Sequence, residues 1–178
     1  MLNPEHMIID TLHFIGENPK RDGLLETPVR VIKSWDTIFS GYTTDPNQYL
    51  KWFEDDTDEM IISKDIRFYS TCEHHMLPFF GTVAIGYIPQ GKVLGLSKLS
   101  RIANAFARRL QIQEKLTRQI ADLIAPFVKG VAVQIRGQHL CMMARGVGQH
   151  DSIMITNKLT GSFKDKAETR AEFFKAVE

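Results

Sequence analysis

Two short segments of the chain concentrate the side chains that bind transition metals. Segments 72–75 and 139–141 contain both cysteines of the chain and three of its six histidines. Thiolate and imidazole ligands together favour Zn²⁺ over the hard cations that prefer oxygen. Cys72, His75 and Cys141 would supply three ligands and leave a fourth position for water, which is the arrangement of a catalytic zinc site.

Three other roles are open to these side chains. Cysteine and histidine are often buried without any chemical function, although their concentration in two short segments argues against that role here. A closed zinc finger needs four ligands, and the chain has no C-x-x-C or H-x-x-x-H pair. A thiol nucleophile is the third role, but it would leave the second cysteine and the doubled histidine unexplained.

The composition is that of an ordinary globular protein. The chain has 178 residues, of which 43% are apolar and 24% are charged, and this predicts a single domain. Lys and Arg number 22 against 21 for Asp and Glu, so the net charge is +1. No general electrostatic field then attracts nucleic acid or an anionic membrane, and neither is expected as a partner. An anionic ligand must be held by a local cluster of charge.

The sequence also predicts a cytoplasmic protein. It contains no apolar stretch of membrane-spanning length, and its first residues lack the basic segment and apolar run of a secretory signal. In a reducing compartment a pair of cysteines is more often metal-binding or buried than joined in a disulfide.

Apolar spacing predicts two helices near the start of the chain. The first covers residues 5–16. The second begins with Thr27 as its N-cap, has Pro28 in its first turn, and ends at Gly41. Residues 42–59 are rich in Asp, Asn and Pro and are predicted to be irregular.

Strands and helices follow one another in the rest of the chain. Strands are predicted at 60–70 and 80–88, and helical spacing at 97–128 predicts two helices or one long bent helix. At least two further strands are expected within 131–158, and a capping box at Asp165 opens a terminal helix. Because the connections are short, the strands are expected to pair antiparallel, which gives an α+β fold.

These elements would bring the candidate ligands together. If residues 60–70 form a strand, Cys72 and His75 lie in the turn that follows it, where a spacing of three lets both converge on one ion. Cys141 would then come from a distant strand.

A second group of side chains has the charge to bind phosphate. Lys98 and Arg101 lie three residues apart at the start of a predicted helix, where free backbone N–H groups also favour an anion. The alternative is a basic face exposed to solvent. That simpler role is assigned to Arg108, Arg109 and Lys115.

The sequence resembles the type I GTP cyclohydrolase family over nearly its whole length. The segments that carry the resemblance occur in the order of that family, at 16–24, 27–31, 70–75, 95–101, 113–117 and 139–147. The resemblance implies the tunnelling fold (T-fold), in which an antiparallel sheet carries a helical pair on one face. It also implies one domain over 1–178, with an N-terminal helical region at 1–45 and a T-fold catalytic core at 60–178.

The resemblance further implies a role for each matching residue. Zinc would be held by Cys72, His75 and Cys141, in agreement with the ligands inferred from residue type. The remaining positions would be His74 and His139 for proton transfer, Glu114 aided by Gln113 for the guanine edge, Ser97, Lys98, Arg101 and Arg145 for the triphosphate, and Arg30 from a neighbouring subunit.

The reaction implied is GTP + H₂O → 7,8-dihydroneopterin triphosphate + formate. Zinc would lower the pKa of its water so that hydroxide attacks C8 of guanine, with His74 or His139 protonating the imidazole nitrogen. Ring opening, release of formate, rearrangement of the ribose and ring closure would follow. The resemblance also implies a homodecamer of two pentamers, and a first step in tetrahydrofolate, pterin or 7-deazaguanine synthesis.

Two other functions are compatible with the sequence. One is a related T-fold enzyme that acts on pterins or deazaguanines, which would keep the guanine-binding glutamate but need no triphosphate cluster. The other is a catalytically silent assembly protein that binds zinc or a nucleotide. Formation of a fluorescent pterin from GTP distinguishes the three.

Overall fold

The computed structural model describes residues 3–178, which divide into two compact units after Ser40. The first unit contains helices α1 (Pro4–Phe14) and α2 (Thr27–Ile38), which pack against each other. Asn3 caps α1, because its side-chain oxygen accepts a hydrogen bond of 2.9 Å from the backbone N–H of Glu5. The prediction of two N-terminal helices is confirmed.

Two details of these boundaries differ from the predictions. Thr27 is the first helical residue of α2 rather than its cap, and the preceding Glu26 stands at the cap position without a side-chain hydrogen bond. The first unit ends at Ser40, whereas the predicted N-terminal region covers 1–45. Residues 1 and 2 of that region lie outside the described part of the chain.

The second unit is built on a five-stranded sheet. The strands are β1 (Trp52–Glu54), β2 (Ile61–Cys72), β3 (Pro78–Ile88), β4 (Lys92–Leu94), β5 (Leu110–Gln111), β6 (Gly130–His139) and β7 (Met154–Leu159). In the main sheet they lie in the order β5-β2-β3-β6-β7. All neighbours pair antiparallel except β2 and β5, which are parallel. Strands β1 and β4 form a separate two-stranded sheet.

The helices of this unit are α3 (Leu96–Ala107), α4 (Gln113–Ile124), α5 (Leu140–Met143), α6 (Ser162–Asp165) and α7 (Ala167–Val177). Helices α3 and α4 pack on one face of the main sheet, where their apolar side chains form the larger core with those of β2, β3 and β6. Phe163 and Phe173, from α6 and α7, form a smaller core with Ala84 and Ala132. The α+β class and the helical pair on one sheet face are confirmed.

Three local predictions are wrong. The segment predicted to be irregular contains β1, whose pairing with β4 depends on residues far away in sequence. The proposed capping box does not form, because Asp165 ends α6 and the cap position of α7 is Lys166, which makes no side-chain hydrogen bond. Cys141, expected on a distant strand, lies instead in the helical turn Leu140–Met143.

No helix within residues 3–178 is both long enough and apolar enough to cross a membrane.

Candidate metal centre

Strand β2 delivers the first candidate ligand at its carboxyl end. Its residues alternate in burial from Ile66 to Ser70, and the last three are all buried. Phe68 and Cys72 belong to the core on the side of α3 and α4. Cys72 is 5% exposed. Its thiol therefore lies at the border between the core and the turn that follows β2.

The turn between β2 and β3 brings His75 back to Cys72. The backbone N–H of Cys72 donates to the carbonyl of Leu77, and the N–H of Met76 donates to the carbonyl of Cys72, each at 2.8 Å. Met76 adopts a φ of 53°, a left-handed conformation that reverses the chain within a few residues. In this turn Cys72 Sγ and His75 Nδ1 are 3.7 Å apart, as their spacing in the sequence predicts.

The third candidate ligand, Cys141, is brought close to the other two by the antiparallel pairing of β3 with β6. His139, the last residue of β6, pairs with Phe79 near the start of β3, so the end of β6 lies beside the turn that holds His75. Cys141 follows in α5. The ligand atoms of Cys72, His75 and Cys141 all lie within 4.8 Å of one another, and this group could hold a metal ion.

The surroundings of Cys141 affect the ionisation of its thiol. Burial raises the pKa of the Cys141 thiol, and the neighbouring Cys72 raises it further, while the charge of Arg145 acts in the opposite direction. Both thiols are free. A bound cation would favour the thiolate form that the pair of cysteines disfavours.

His139 lies beside this group in a closely defined position. Its ring stacks on that of Phe79, with centroids 4.6 Å apart and an interplanar angle of 6°, and its Nε2 lies 2.9 Å from Oε1 of Gln113. Burial lowers the pKa of His139, whereas the charge of Glu114 raises it. His74 is different, because it is exposed in the turn, where its ring lies 6.2 Å from that of His75.

The amino end of α4 supplies the two residues expected at the guanine edge. Gln113 and Glu114 are the first two residues of this helix, and they point into different surroundings. Gln113 is 1% exposed and hydrogen-bonded, while Glu114 is exposed. The carboxylate of Glu114 is thus accessible to a ligand, and its charge acts on His139.

Lys115, expected on a solvent-exposed basic face, has a specific partner. Its Nζ lies 3.7 Å from Oε2 of Glu73, in the turn that holds the candidate ligands. The backbone N–H of Glu73 also donates to the carbonyl of Gln111 at 3.0 Å. These contacts tie the turn to the start of α4. In the sequence, the contact between Glu73 and Lys115 is indicated only by their positions, in the segment of the candidate metal ligands and directly after Glu114.

The residues expected at the triphosphate are spread over several elements. Ser97, Lys98 and Arg101 lie in the first two turns of α3, and the guanidinium of Arg101 lies 6.0 Å from the ring centroid of Tyr49. Within residues 3–178, no hydrogen bond or ion pair joins Ser97, Lys98 or Arg101 to the candidate metal ligands. Arg145 is exposed just after α5, where its charge reaches Cys141.

Arg30 lies in the N-terminal unit. It is exposed on α2 and forms an ion pair with Glu26, the residue at the cap position of that helix.

Comparison with known proteins agrees with the resemblance seen in the sequence. Residues 5–178 match the family model described as GTP cyclohydrolase I. A GTP cyclohydrolase 1 from Wolinella succinogenes is 54% identical over 95% of this chain and 92% of its own length. Another, from Campylobacter lari, is 50% identical over 97% of this chain and 93% of its own. A solved structure of the archaeosine synthase QueF-Like in the apo form is 18% identical, with a TM-score of 0.47, over 57% of this chain and 93% of that one.

Proposed function

This chain belongs to the GTP cyclohydrolase I family, and we propose that it converts GTP and water to 7,8-dihydroneopterin triphosphate and formate at a zinc site formed by Cys72, His75 and Cys141. It is an enzyme that acts on GTP, with the tunnelling fold of its family. One observation supports the proposed site above all. Two thiols and an imidazole from two distant segments come together, with their ligand atoms within 4.8 Å of one another.

The donor set and its spacing favour zinc as the metal. Two thiolates and one imidazole suit Zn²⁺ better than Mg²⁺ or Ca²⁺, which prefer oxygen ligands. Sulfur and nitrogen ligands of a tetrahedral zinc ion lie about 3.6 Å apart, given the usual bond lengths of ~2.3 and ~2.1 Å. The distance of 3.7 Å between Cys72 Sγ and His75 Nδ1 matches that value. When bound, zinc would supply the Lewis acidity that makes a water molecule nucleophilic near neutral pH.

Two histidines are available for the proton transfers that ring opening requires. His74 adjoins a proposed ligand in an exposed turn, and His139 is stacked and hydrogen-bonded two residues before Cys141. Either can give a proton to the imidazole nitrogen of guanine while C8 adds water.

Glu114 is the proposed specificity residue, whereas the side chain of its neighbour Gln113 is buried and hydrogen-bonded inside the protein. A carboxylate accepts hydrogen bonds from the N1–H and 2-amino groups of guanine together, and adenine cannot offer that pair of donors. The exposed position of Glu114, at the amino end of a helix beside His139, supports this role.

The triphosphate is proposed to bind at the start of α3. Ser97 and Lys98 lie in its first turn, where the positive end of the helix dipole favours an anion, and Arg101 lies in the next turn. Arg145, near Cys141, would supply a further positive charge.

Assembly and location are part of the same proposal. We propose a homodecamer of two pentamers, in which neighbouring sheets pair along edges that a monomer would expose. Arg30 would enter a neighbour's site. Free thiols at a metal centre persist best in a reducing compartment, which favours the cytoplasm.

The proposed function is tested by combining metal analysis with turnover. Purified protein is expected to contain about one Zn²⁺ per chain, as a single three-ligand site requires. After incubation with GTP and oxidation, it should yield a fluorescent pterin and formate. A protein that holds zinc but produces neither from GTP would contradict the proposal, and turnover of a pterin or deazaguanine instead would identify the related enzyme.

Mixing two inactive variants tests whether Arg30 and His74 act in one shared site. Arg30→Ala and His74→Ala should each be nearly inactive, because each lacks one group that the site needs. After the two proteins are dissociated, mixed equally and reassembled, random pairing of subunits should restore both groups in roughly a quarter of the sites. The recovered rate of pterin formation is the measurement.

Two controls accompany this experiment. Wild-type protein is dissociated and reassembled in parallel, with its mass checked, and Lys33→Ala, which removes another exposed cation from α2, should stay active throughout. If the wild-type control recovers while the mixture stays inactive, Arg30 does not complete a neighbour's site.

A further inference from the structure

The side chain of Gln113 is fully engaged inside the protein. It is 1% exposed, and its amide nitrogen lies 3.1 Å from the carbonyl oxygen of Ile135, 2.9 Å from that of Met154 and 3.1 Å from Thr156 Oγ1. Its amide oxygen lies 2.9 Å from His139 Nε2. Both N–H donors of this amide are engaged and its oxygen faces His139 in a buried site, so the side chain does not present the amide to a guanine edge.

The orientation of this amide is determined by its partners. Carbonyl oxygens only accept hydrogen bonds, so the NH₂ group must face Ile135 and Met154. With the amide reversed, its oxygen would face these two carbonyl oxygens in a buried site, which is strongly unfavourable. Oε1 of Gln113 therefore faces His139.

A closed chain of hydrogen bonds holds the amide in place. Thr117 Oγ1 donates to the backbone carbonyl of Gln113 at 2.7 Å and lies 2.6 Å from Thr156 Oγ1. Since the single hydroxyl proton of Thr117 is used in this way, Thr156 donates to Thr117 and shares the two N–H donors of the Gln113 amide with the carbonyls of Ile135 and Met154. Each member of the chain is satisfied, which makes such a network rigid.

The position of His139 follows from this network. An amide oxygen only accepts, so the contact with Gln113 requires a proton on His139 Nε2. The stacking on Phe79 fixes the plane of the ring, and the hydrogen bond fixes its rotation within that plane. We infer that Gln113 is a positioning residue that holds His139 with a proton on Nε2, which leaves Nδ1 as the ring atom that exchanges a proton with the substrate.

This inference rests on the proposed role of His139 and specifies how Gln113 contributes to the site. When His139 gives a proton to the substrate, that proton comes from Nδ1, because Nε2 keeps its own in the hydrogen bond to Gln113 Oε1. The reverse step returns the proton to Nδ1. Gln113 never contacts the reacting atoms.

Gly137 makes the contact between Gln113 and His139 possible. A Cβ added to this residue of β6 would overlap with Gln113 Oε1, and only the glutamine amide would have to move. Gly137→Ala therefore displaces the amide while leaving its chemistry intact. It provides a second variant if Gln113→Leu fails to fold.

The first test separates turnover from binding. In the zinc-loaded full chain, Gln113→Leu and Gly137→Ala are expected to lower kcat ~10²-fold, the lower range of what a positioned acid or base contributes, with KM for GTP within about twofold. Gln134→Leu is the matched control, because Gln134 is also buried and links β6 to β7 through Asn157, at 3.0 Å. It should keep a normal kcat.

A double-mutant cycle then identifies the residue through which Gln113 acts. Once His139 is replaced by Ala, adding Gln113→Leu should change neither the residual rate nor the affinity for GTP by more than about twofold. A further loss of GTP affinity in the double variant would overturn the inference, because it would mean that Gln113 binds the nucleotide directly.

Ring spectroscopy tests the same inference without reference to turnover. In ¹⁵N-histidine-labelled protein, the signals missing from His139→Ala identify this ring. At a pH where the ring is neutral, wild-type His139 should carry its proton on Nε2, and Gly137→Ala or Gln113→Leu should shift it to a mixture of tautomers. A proton on Nδ1 in the wild type overturns the inference, whereas failure to convert GTP contradicts only the proposed function.

Discussion

Replacing Cys72 with serine should remove both the bound zinc and the activity. The substitution nearly preserves side-chain volume at a site that is 5% exposed, so the fold is expected to persist. A serine hydroxyl, however, is a far poorer ligand for zinc than a thiolate. Changes to residues that merely support metal ligands cost ~10–100-fold in metal affinity, and loss of a ligand should cost more. Zinc per chain and pterin formation are measured on the same sample.

Cys141→Ser should give the same double loss, because Cys141 completes the three-ligand group. His150→Ala is a suitable control, since it removes an exposed imidazole that is not part of this group. It should retain zinc and full activity. Normal turnover of GTP by zinc-free Cys72→Ser would refute a zinc-dependent reaction at this position.

Replacing Glu114 with alanine should abolish useful recognition of GTP while leaving zinc in place. Without this carboxylate, the N1–H and 2-amino donors of bound guanine would lack a partner. Because an unpaired hydrogen-bonding group in such a site can cost ~10⁴-fold, a loss of that order is expected in kcat/KM for GTP. Glu114→Gln should be almost as impaired, because a single amide oxygen replaces the two oxygens of the carboxylate. The zinc content should stay normal, because Glu114 does not belong to the ligand group.

Asp122→Ala provides the matched control for this substitution. Asp122 is an exposed carboxylate on the same helix, and its contact with Lys158 spans 4.0 Å between the charged atoms. An exposed ion pair of this kind contributes little, so the variant should behave as the wild type. Unchanged affinity for GTP in Glu114→Ala would show that Glu114 is only a solvated helix charge.

Local features of the sequence were sufficient to predict several parts of the structure. Apolar periodicity predicts both N-terminal helices and the helical pair. In α3 and α4 the periodic residues are buried, whereas α1 and α2 bury only Leu12 and Pro28. Strand patterns in the sequence likewise predict β2 and β3. The convergence of Cys72 and His75 was also predictable, because only a short turn separates them.

Predictions from short-range motifs were wrong where tertiary contacts determined the backbone conformation. The capping-box pattern at Asp165 predicted the start of the terminal helix, but that residue ends α6 instead. Strand β1 forms by pairing with β4. The segments on either side of β1 are rich in turn-forming residues. A local preference of about 1 kcal/mol is easily outweighed by such pairing.

The sequence alone therefore determined the ligand types, the family and the order of elements, since these depend on residue identity and on spacing along the chain. Only the tertiary structure decided which distant residues meet. The register of β3 with β6 places Cys141 beside Cys72, and the packing of α4 against the end of β6 turns Gln113 toward His139. The meeting of Cys141 with Cys72 was expected from residue type, although not the register that produces it. The contact of Gln113 with His139 leaves no local signal, because it depends on how separate elements align after folding.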